Sequence, residues 1–129
     1  MLHEVSFASY NKRDQVQAWI YVPACKPNGI VQLIHGFGEH SRRYIHMISS
    51  FLDAGYIVAA DDHVGHGKTA MVNNVWGDWG DKGCHTMMED EHTLKKLYAR
   101  NIQIYLISYL VTVWVHLSQE ILLRNTETN

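Results

Sequence analysis

Two short segments concentrate residues whose types and spacing could do chemistry in this 129-residue chain. His35-Gly36-Phe37-Gly38 follows an apolar run, residues 30–34. A glycine-rich loop directly after a buried strand can aim backbone N–H groups at an oxygen that gains negative charge during acyl transfer. The same four residues also suit a tight chain reversal with no chemistry attached. The second segment is Asp61-Asp62-His63-Val64-Gly65-His66-Gly67-Lys68-Thr69. Its Asp61, Asp62, His63 and His66, like His35 with His40, are metal-ligand types. A metal site needs donors that converge, and side chains in a loop after a strand point apart unless something folds them back. With 9 His in the chain, close pairs arise by chance, so these are expected to be turn residues and no metal is expected. The Gly67-Lys68-Thr69 ending resembles the end of a phosphate-binding loop. That loop requires glycine where this chain has Asp62, a carboxylate that repels phosphate, so nucleotide binding is not expected.

The elements needed to position these loops follow from periodicity. Residues 4–9 alternate weakly and residues 16–22 clearly, with Val16, Ala18, Ile20 and Val22 on one face. They predict two antiparallel strands joined by a polar turn with its tip at residues 11–14. Residues 30–34 and 56–60 are short continuous apolar runs, the pattern of strands covered on both faces. Between them Tyr44, Ile45, Met47, Ile48, Phe51 and Leu52 recur at helical spacing, with Ser41 as the cap candidate and Gly55 as the stop. A further helix is predicted over residues 86–97, where Glu89, Asp90 and Glu91 precede Lys95 and Lys96 as the helix dipole favours. Two antiparallel strands followed by strand, helix, strand and helix make an α/β chain, with functional loops at the C-terminal strand ends.

Composition sets outer bounds. The chain is 47% hydrophobic and 19% charged with a net charge of -2, a balance that excludes disordered tails and offers no cationic excess for nucleic acid. Cys25 and Cys84 form no C-x-x-C pair. That usage fits a reducing compartment, and a cytoplasmic location is expected. The first 14 residues contain no signal-peptide core. Residues 102–119 carry no formal charge and follow Lys95, Lys96 and Arg100, which makes them a borderline membrane span.

Taken together, IVQLIHGFGEHSRRY (residues 30–44) and DHVGHGKT (residues 62–69) resemble the monoglyceride lipase and lysophospholipase branch of the α/β-hydrolases, the serine aminopeptidase S33-like group. MEDEHTLKKL (residues 88–97) resembles the helix that follows in bacterial members. The likeness covers most of residues 4–97 and implies an α/β-hydrolase sheet, serine hydrolase chemistry on acyl esters of glycerol or lysophospholipids, and no cofactor. By position, the Phe37 backbone N–H would be an oxyanion donor, with His35, Gly36 and Gly38 shaping its loop. Asp62, His63, Gly65, His66 and Gly67 would support the site.

The family continues with G-x-S-x-G, whose Ser is the nucleophile, and later supplies an Asp and a His. Here no Gly follows Gly83, and Ser108 and Ser118 lack flanking glycines. Reading the codons of residues 110–117 one base earlier leaves xGT, xAC, xGT, xTG, GGT and xCA. These triplets accommodate G-H-S-M-G-S, its second Gly forced by Trp114 and Val115. The same shift turns residues 97–109 and 117–125 into a compatible helix end, buried strand and amphipathic helix. The expected organisation is therefore a partial α/β-hydrolase domain, residues 1–97, truncated before the nucleophile elbow. An out-of-frame tail, residues 98–129, follows it. Such a chain is expected to be inactive and marginally stable, because its central strands lack neighbours. The alternative is a short non-catalytic protein anchored to a membrane by residues 102–119.

Overall fold

The computed structural model describes residues 1–101, 110–115 and 121–126. Its six-stranded sheet has the order β1-β2-β4-β3-β5-β6. β1 (Leu2–Ala8) and β2 (Gln15–Tyr21) form the antiparallel pair, in register from Leu2 opposite Tyr21 to Ala8 opposite Gln15. The turn between them closes through Ser9 N–H to Asp14 O at 2.9 Å, with Lys12 at φ 60°. β3 (Gly29–Ile34) and β4 (Tyr56–Asp62) are parallel neighbours, and β4 also pairs antiparallel with β2.

Both central strands are covered on two faces, as their unbroken apolar runs require. Val31, Leu33, Val58 and Ala60 pack with Ile48 of α1 (Ile45–Asp53). Ile30, Ile57 and Ala59 pack on the opposite face with Leu94 and Tyr98 of α3 (His85–Asn101). Alternation along β4 then sends the adjacent carboxylates Asp61 and Asp62 to opposite faces of the sheet.

The helices depart from the sequence expectation in four respects. A 3-10 turn (Ser41–Tyr44) precedes α1, and Ser41 does not cap it, because its hydroxyl and its N–H both donate to Asp62. Gly55 does close α1, with φ 87° and its N–H on Leu52 O. An unforeseen helix, α2 (Gly67–Asn73), grows out of the glycine-rich loop. Thr69 explains it: its hydroxyl donates to Asp62 O at 2.6 Å and accepts the Gln17 N–H at 2.9 Å, bridging β4 and β2 at the last pair of their ladder. The Gly-Lys-Thr sequence is thus turn and helix-start chemistry. On α3, Asp90 and Glu91 are buried instead of serving the helix dipole at the surface. Asp90 accepts Ser9 Oγ and Tyr10 N–H, each at 2.7 Å, which pins the β1–β2 turn onto the helix.

β5 (Leu110–Val115) runs parallel to β3, and β6 (Ile121–Thr126) pairs antiparallel with β5. The edge of β3 expected to lie open is therefore hydrogen-bonded to β5. Of the apolar run 102–119, residues 110–115 form β5 and the rest lie outside the described residues. Among the described residues, no helix is long and apolar enough to cross a membrane. Cys25 and Cys84 are exposed free thiols.

Candidate active site

The loops after β3 and β4 leave the same end of the sheet, since the two strands are parallel neighbours, and they lock together through two imidazoles. The His63 N–H donates to His35 Nε2 at 3.0 Å, and His63 Nε2–H donates back to the His35 carbonyl at 2.9 Å. The rings stack with centroids 3.8 Å apart. Because His35 Nε2 is an acceptor, its proton sits on Nδ1, which donates to the Gly36 carbonyl at 2.8 Å.

Gly36 is held from both sides. Its N–H donates to Glu39 Oε2 at 3.0 Å, and Tyr44 Oη donates to the same oxygen. Burial of Glu39 works against its charge, but the Tyr44 hydroxyl and the Gly36 N–H outweigh it and hold the carboxyl below its ordinary range. The neighbouring Phe37 N–H takes part in none of these loop bonds, and the Phe37 side chain is 66% exposed. Beside it opens a groove of about 480 Å³ lined by Phe37, Arg42, His66, Met71 and Trp76. Apart from Arg42 and His66, these are apolar surfaces next to backbone N–H groups, an arrangement able to take an ester with an acyl chain.

The buried face carries further polar groups. Asp62 accepts Ser41 N–H at 2.8 Å, Ser41 Oγ at 2.9 Å and Lys68 N–H at 2.8 Å, linking the β4 end to the 3-10 turn before α1 and to the start of α2. His66 Nδ1–H donates to Val64 O, and its ring lies 5.3 Å from that of Trp79. On the α3 side, Asp61, His63 and Glu91 converge, with one donor-type atom from each inside a 4.8 Å span. This differs from the expectation that Asp61 and His63 diverge, and α3 is what folds over them. Asp62, His66, His35 and His40 stay outside that group. No fourth side chain joins it among the described residues, whereas a closed metal site takes four donors.

Glu91, which the sequence offers only as a helix-dipole carboxylate, meets Gln32 and Tyr98, two residues that the sequence does not mark. Gln32 Nε2 donates to Glu91 O at 3.0 Å and to Oε2, and Tyr98 Oη donates to Gln32 Oε1 at 3.0 Å. The signal was present: Glu91, Leu94 and Tyr98 share one helical stripe, so Glu91 occupies a core position. No activated serine accompanies the loops among the described residues. Ser41 is spent on Asp62 and Ser9 on Asp90. Ser108 and Ser118 lie outside the described residues.

Burial, with the nearby charge of His63, depresses the His35 imidazole to about 4. For His63 burial also acts downward, but the adjacent Asp61 carboxylate overrides it and raises the value. An unfolded His35 near 6.5 binds more protons than the folded one between about pH 4 and 6.5. Its contribution to stability is therefore complete above 6.5 and is lost as the pH falls toward 4. Ring nitrogen NMR should show His35 as the neutral Nδ1–H tautomer down to about pH 4. A midpoint near 6.5 would contradict the crossed-histidine arrangement.

A mixed sheet with helices on both faces and a glycine loop after its first parallel strand defines the chain as an α/β-hydrolase fold. The profile of the family described as Serine aminopeptidase, S33 matches residues 25–107, and the chain belongs to that family. It is 64% identical to a thermostable carboxyl esterase from Bacillus coagulans solved in complex with glycerol (TM-score 0.75, covering 78% of this chain and 32% of that one). It is 49% identical to a lipase solved in an open form (TM-score 0.79, 90% and 35%). It is 44% identical over 50 residues to the monoacylglycerol lipase of Mycolicibacterium smegmatis, covering 39% of this chain. The chain spans 18% of that lipase's length. It is thus an α/β-hydrolase chain of the monoglyceride lipase and esterase type.

Proposed function

We propose that this chain is the N-terminal part of a carboxylic-ester hydrolase for acyl esters of glycerol or lysophospholipids, and that as written it is catalytically inert. The observation that carries the reading is the pinned Gly36 peptide, with the Phe37 N–H left beside the apolar groove. In an intact enzyme a serine would attack the acyl carbonyl and a histidine would move its proton to the leaving alcohol. The Phe37 N–H would then hold the oxygen as it becomes anionic. His35, Gly36 and Gly38 shape that donor's loop. Asp62, His63, Gly65, His66 and Gly67 brace it from β4. Phe37, Met71 and Trp76 suit an acyl chain, and the glycerol bound to the Bacillus coagulans esterase supports a glyceride alcohol.

This chain keeps the oxyanion side of that chemistry and carries no G-x-S-x-G. The purified protein should neither label with a fluorophosphonate nor hydrolyse a p-nitrophenyl ester above the buffer rate. Stoichiometric labelling of any serine would overturn the reading. In the same proposal residues 98–129 are translated out of frame, and the protein resides in the reducing cytoplasm, with Cys25 and Cys84 remaining thiols. Sequencing the gene around codon 97 tests the frame: a shifted frame over codons 110–117 that does not encode G-x-S-x-G removes the explanation.

A further inference from the structure

The cluster of Asp61, His63 and Glu91 beneath the loops is closed off from water and holds more acid than base. Asp61 is fully buried, His63 is 2% exposed and Glu91 7%. His63 Nδ1 lies 3.3 Å from an oxygen of Asp61 and 3.3 Å from Glu91 Oε1. Since His63 Nε2–H is committed to the His35 carbonyl, Nδ1 can donate only if the ring is an imidazolium. Among the described residues, the other groups facing Glu91 are Gln32 from β3, His35 behind the His63 ring, and Asp90 and Tyr98 from its own helix. None of them is a second cation.

One imidazolium facing two carboxylates would leave a net negative charge in a dry space. It would also leave Asp61 Oδ1 and Glu91 Oε1 without donors, the state in which the heavy-atom geometry shows them. One proton on Glu91 removes both problems, because the cluster becomes neutral and a carboxyl O–H becomes available to Asp61. Asp61 keeps the charge because both of its oxygens lie within 3.4 Å of His63 Nδ1, whereas Glu91 turns its second oxygen to Gln32.

We propose that Glu91 is a neutral carboxylic acid that donates to Asp61, and that this acid–carboxylate–imidazolium chain is the positioning device for the Phe37 N–H. The path is continuous. Glu91 fixes Asp61, and Asp61 fixes the His63 ring. His63 holds the His35 carbonyl and ring, and His35 Nδ1–H holds the Gly36 carbonyl. In a trans peptide the C=O and the following N–H point in opposite directions. Anchoring the Gly36 carbonyl on His35 therefore turns the Phe37 N–H away from His35. The role assigned to that N–H rests on the proposed hydrolase function, whereas the protonation of Glu91 does not.

The test uses the full chain with carboxyl-labelled glutamate. Isotope-edited infrared at pH 7 should show one glutamate as a protonated acid, and that band should vanish in Glu91→Gln. Because Gln can still donate to Asp61, Glu91→Gln should keep the His35 Nδ1–H tautomer and the Phe37 amide chemical shift. Glu91→Leu, which cannot donate, should shift the His63 ring and Phe37 amide signals. If Glu91→Leu does not fold, the infrared comparison of the natural chain with Glu91→Gln decides alone. Ionised side chains at every glutamate, a Phe37 signal indifferent to Glu91→Leu in a folded chain, or one equivalent of bound zinc by elemental analysis would each overturn the proposal. No readout requires turnover, so the hydrolase reading can fail while this one stands, and the reverse.

Discussion

Replacing Asp62 with alanine should lower the unfolding free energy by about 3 to 5 kcal/mol, because it strands three donors, each worth roughly 1–3 kcal/mol when buried. Asp62 is fully buried and accepts from the Ser41 N–H, the Ser41 hydroxyl and the Lys68 N–H. Ser41 is itself inaccessible, so water cannot replace the lost acceptor there. The Arg42 guanidinium, 4.0 Å away and half exposed, adds little. Asp62→Asn should be milder, at about 1–2 kcal/mol, since one oxygen still serves Ser41 while the amide NH2 opposes the Lys68 N–H. Urea unfolding measures both through the midpoint at constant slope. A loss of less than about 1 kcal/mol for Asp62→Ala would mean that the two helical starts do not depend on this carboxylate.

The second large effect is expected at Gly65. Its φ of 78° lies in the left-handed region, and an added Cβ would meet Asp78 N at 2.8 Å and Gly77 N at 3.0 Å. Both obstacles are backbone, so no rotamer change relieves them. The Gly77 N–H is moreover bonded to Gly65 O at 2.9 Å. Left-handed strain of about 1–2 kcal/mol and an overlap of about 1–3 kcal/mol together give roughly 2–5 kcal/mol for Gly65→Ala. Gly83 provides the control. It too has positive φ, at 56°, but an added Cβ there would have nothing within 4 Å, so Gly83→Ala should lose only the strain. Amide exchange at Gly77 should accelerate in Gly65→Ala and stay unchanged in Gly83→Ala. Equal losses at the two glycines would rule out the close approach as the cause.

Much of the architecture was legible because it rests on local periodicity. The alternation at residues 16–22, the two continuous apolar runs and the Gly55 stop each depend on a few adjacent residues, and each appears in the fold. Other features were hidden because they depend on distant partners. Ser41 looks like a helix cap until a carboxylate 21 residues away claims its hydroxyl. Residues 67–73 contain too short an apolar pattern to announce a helix, and Thr69 bonding to β2 and β4 supplies what the pattern lacks. Asp90 and Glu91 look like surface charges at a helix start until the β1–β2 turn and Gln32 bury them.

Two neighbouring carboxylates show the division most clearly. A strand has a side-chain period of two, so Asp61 and Asp62 must point to opposite faces wherever residues 56–62 form a strand, and the chain alone dictates that much. What each carboxylate does there depends on the layers packed over it. On one face the turn into α1 brings Ser41, whose hydroxyl and N–H keep Asp62 solvated inside the protein. On the other, α3 lays Glu91 against Asp61 and His63, where acid groups outnumber the base and a proton must be shared. The loop His35-Gly36-Phe37-Gly38 divides the same way. Its glycines and its place after an apolar run are local facts. The direction of the Phe37 N–H comes from the His35 ring holding the Gly36 carbonyl, and that ring is fixed only once β3 and β4 lie side by side, because the hydrogen bonds that hold it join residues 28 positions apart.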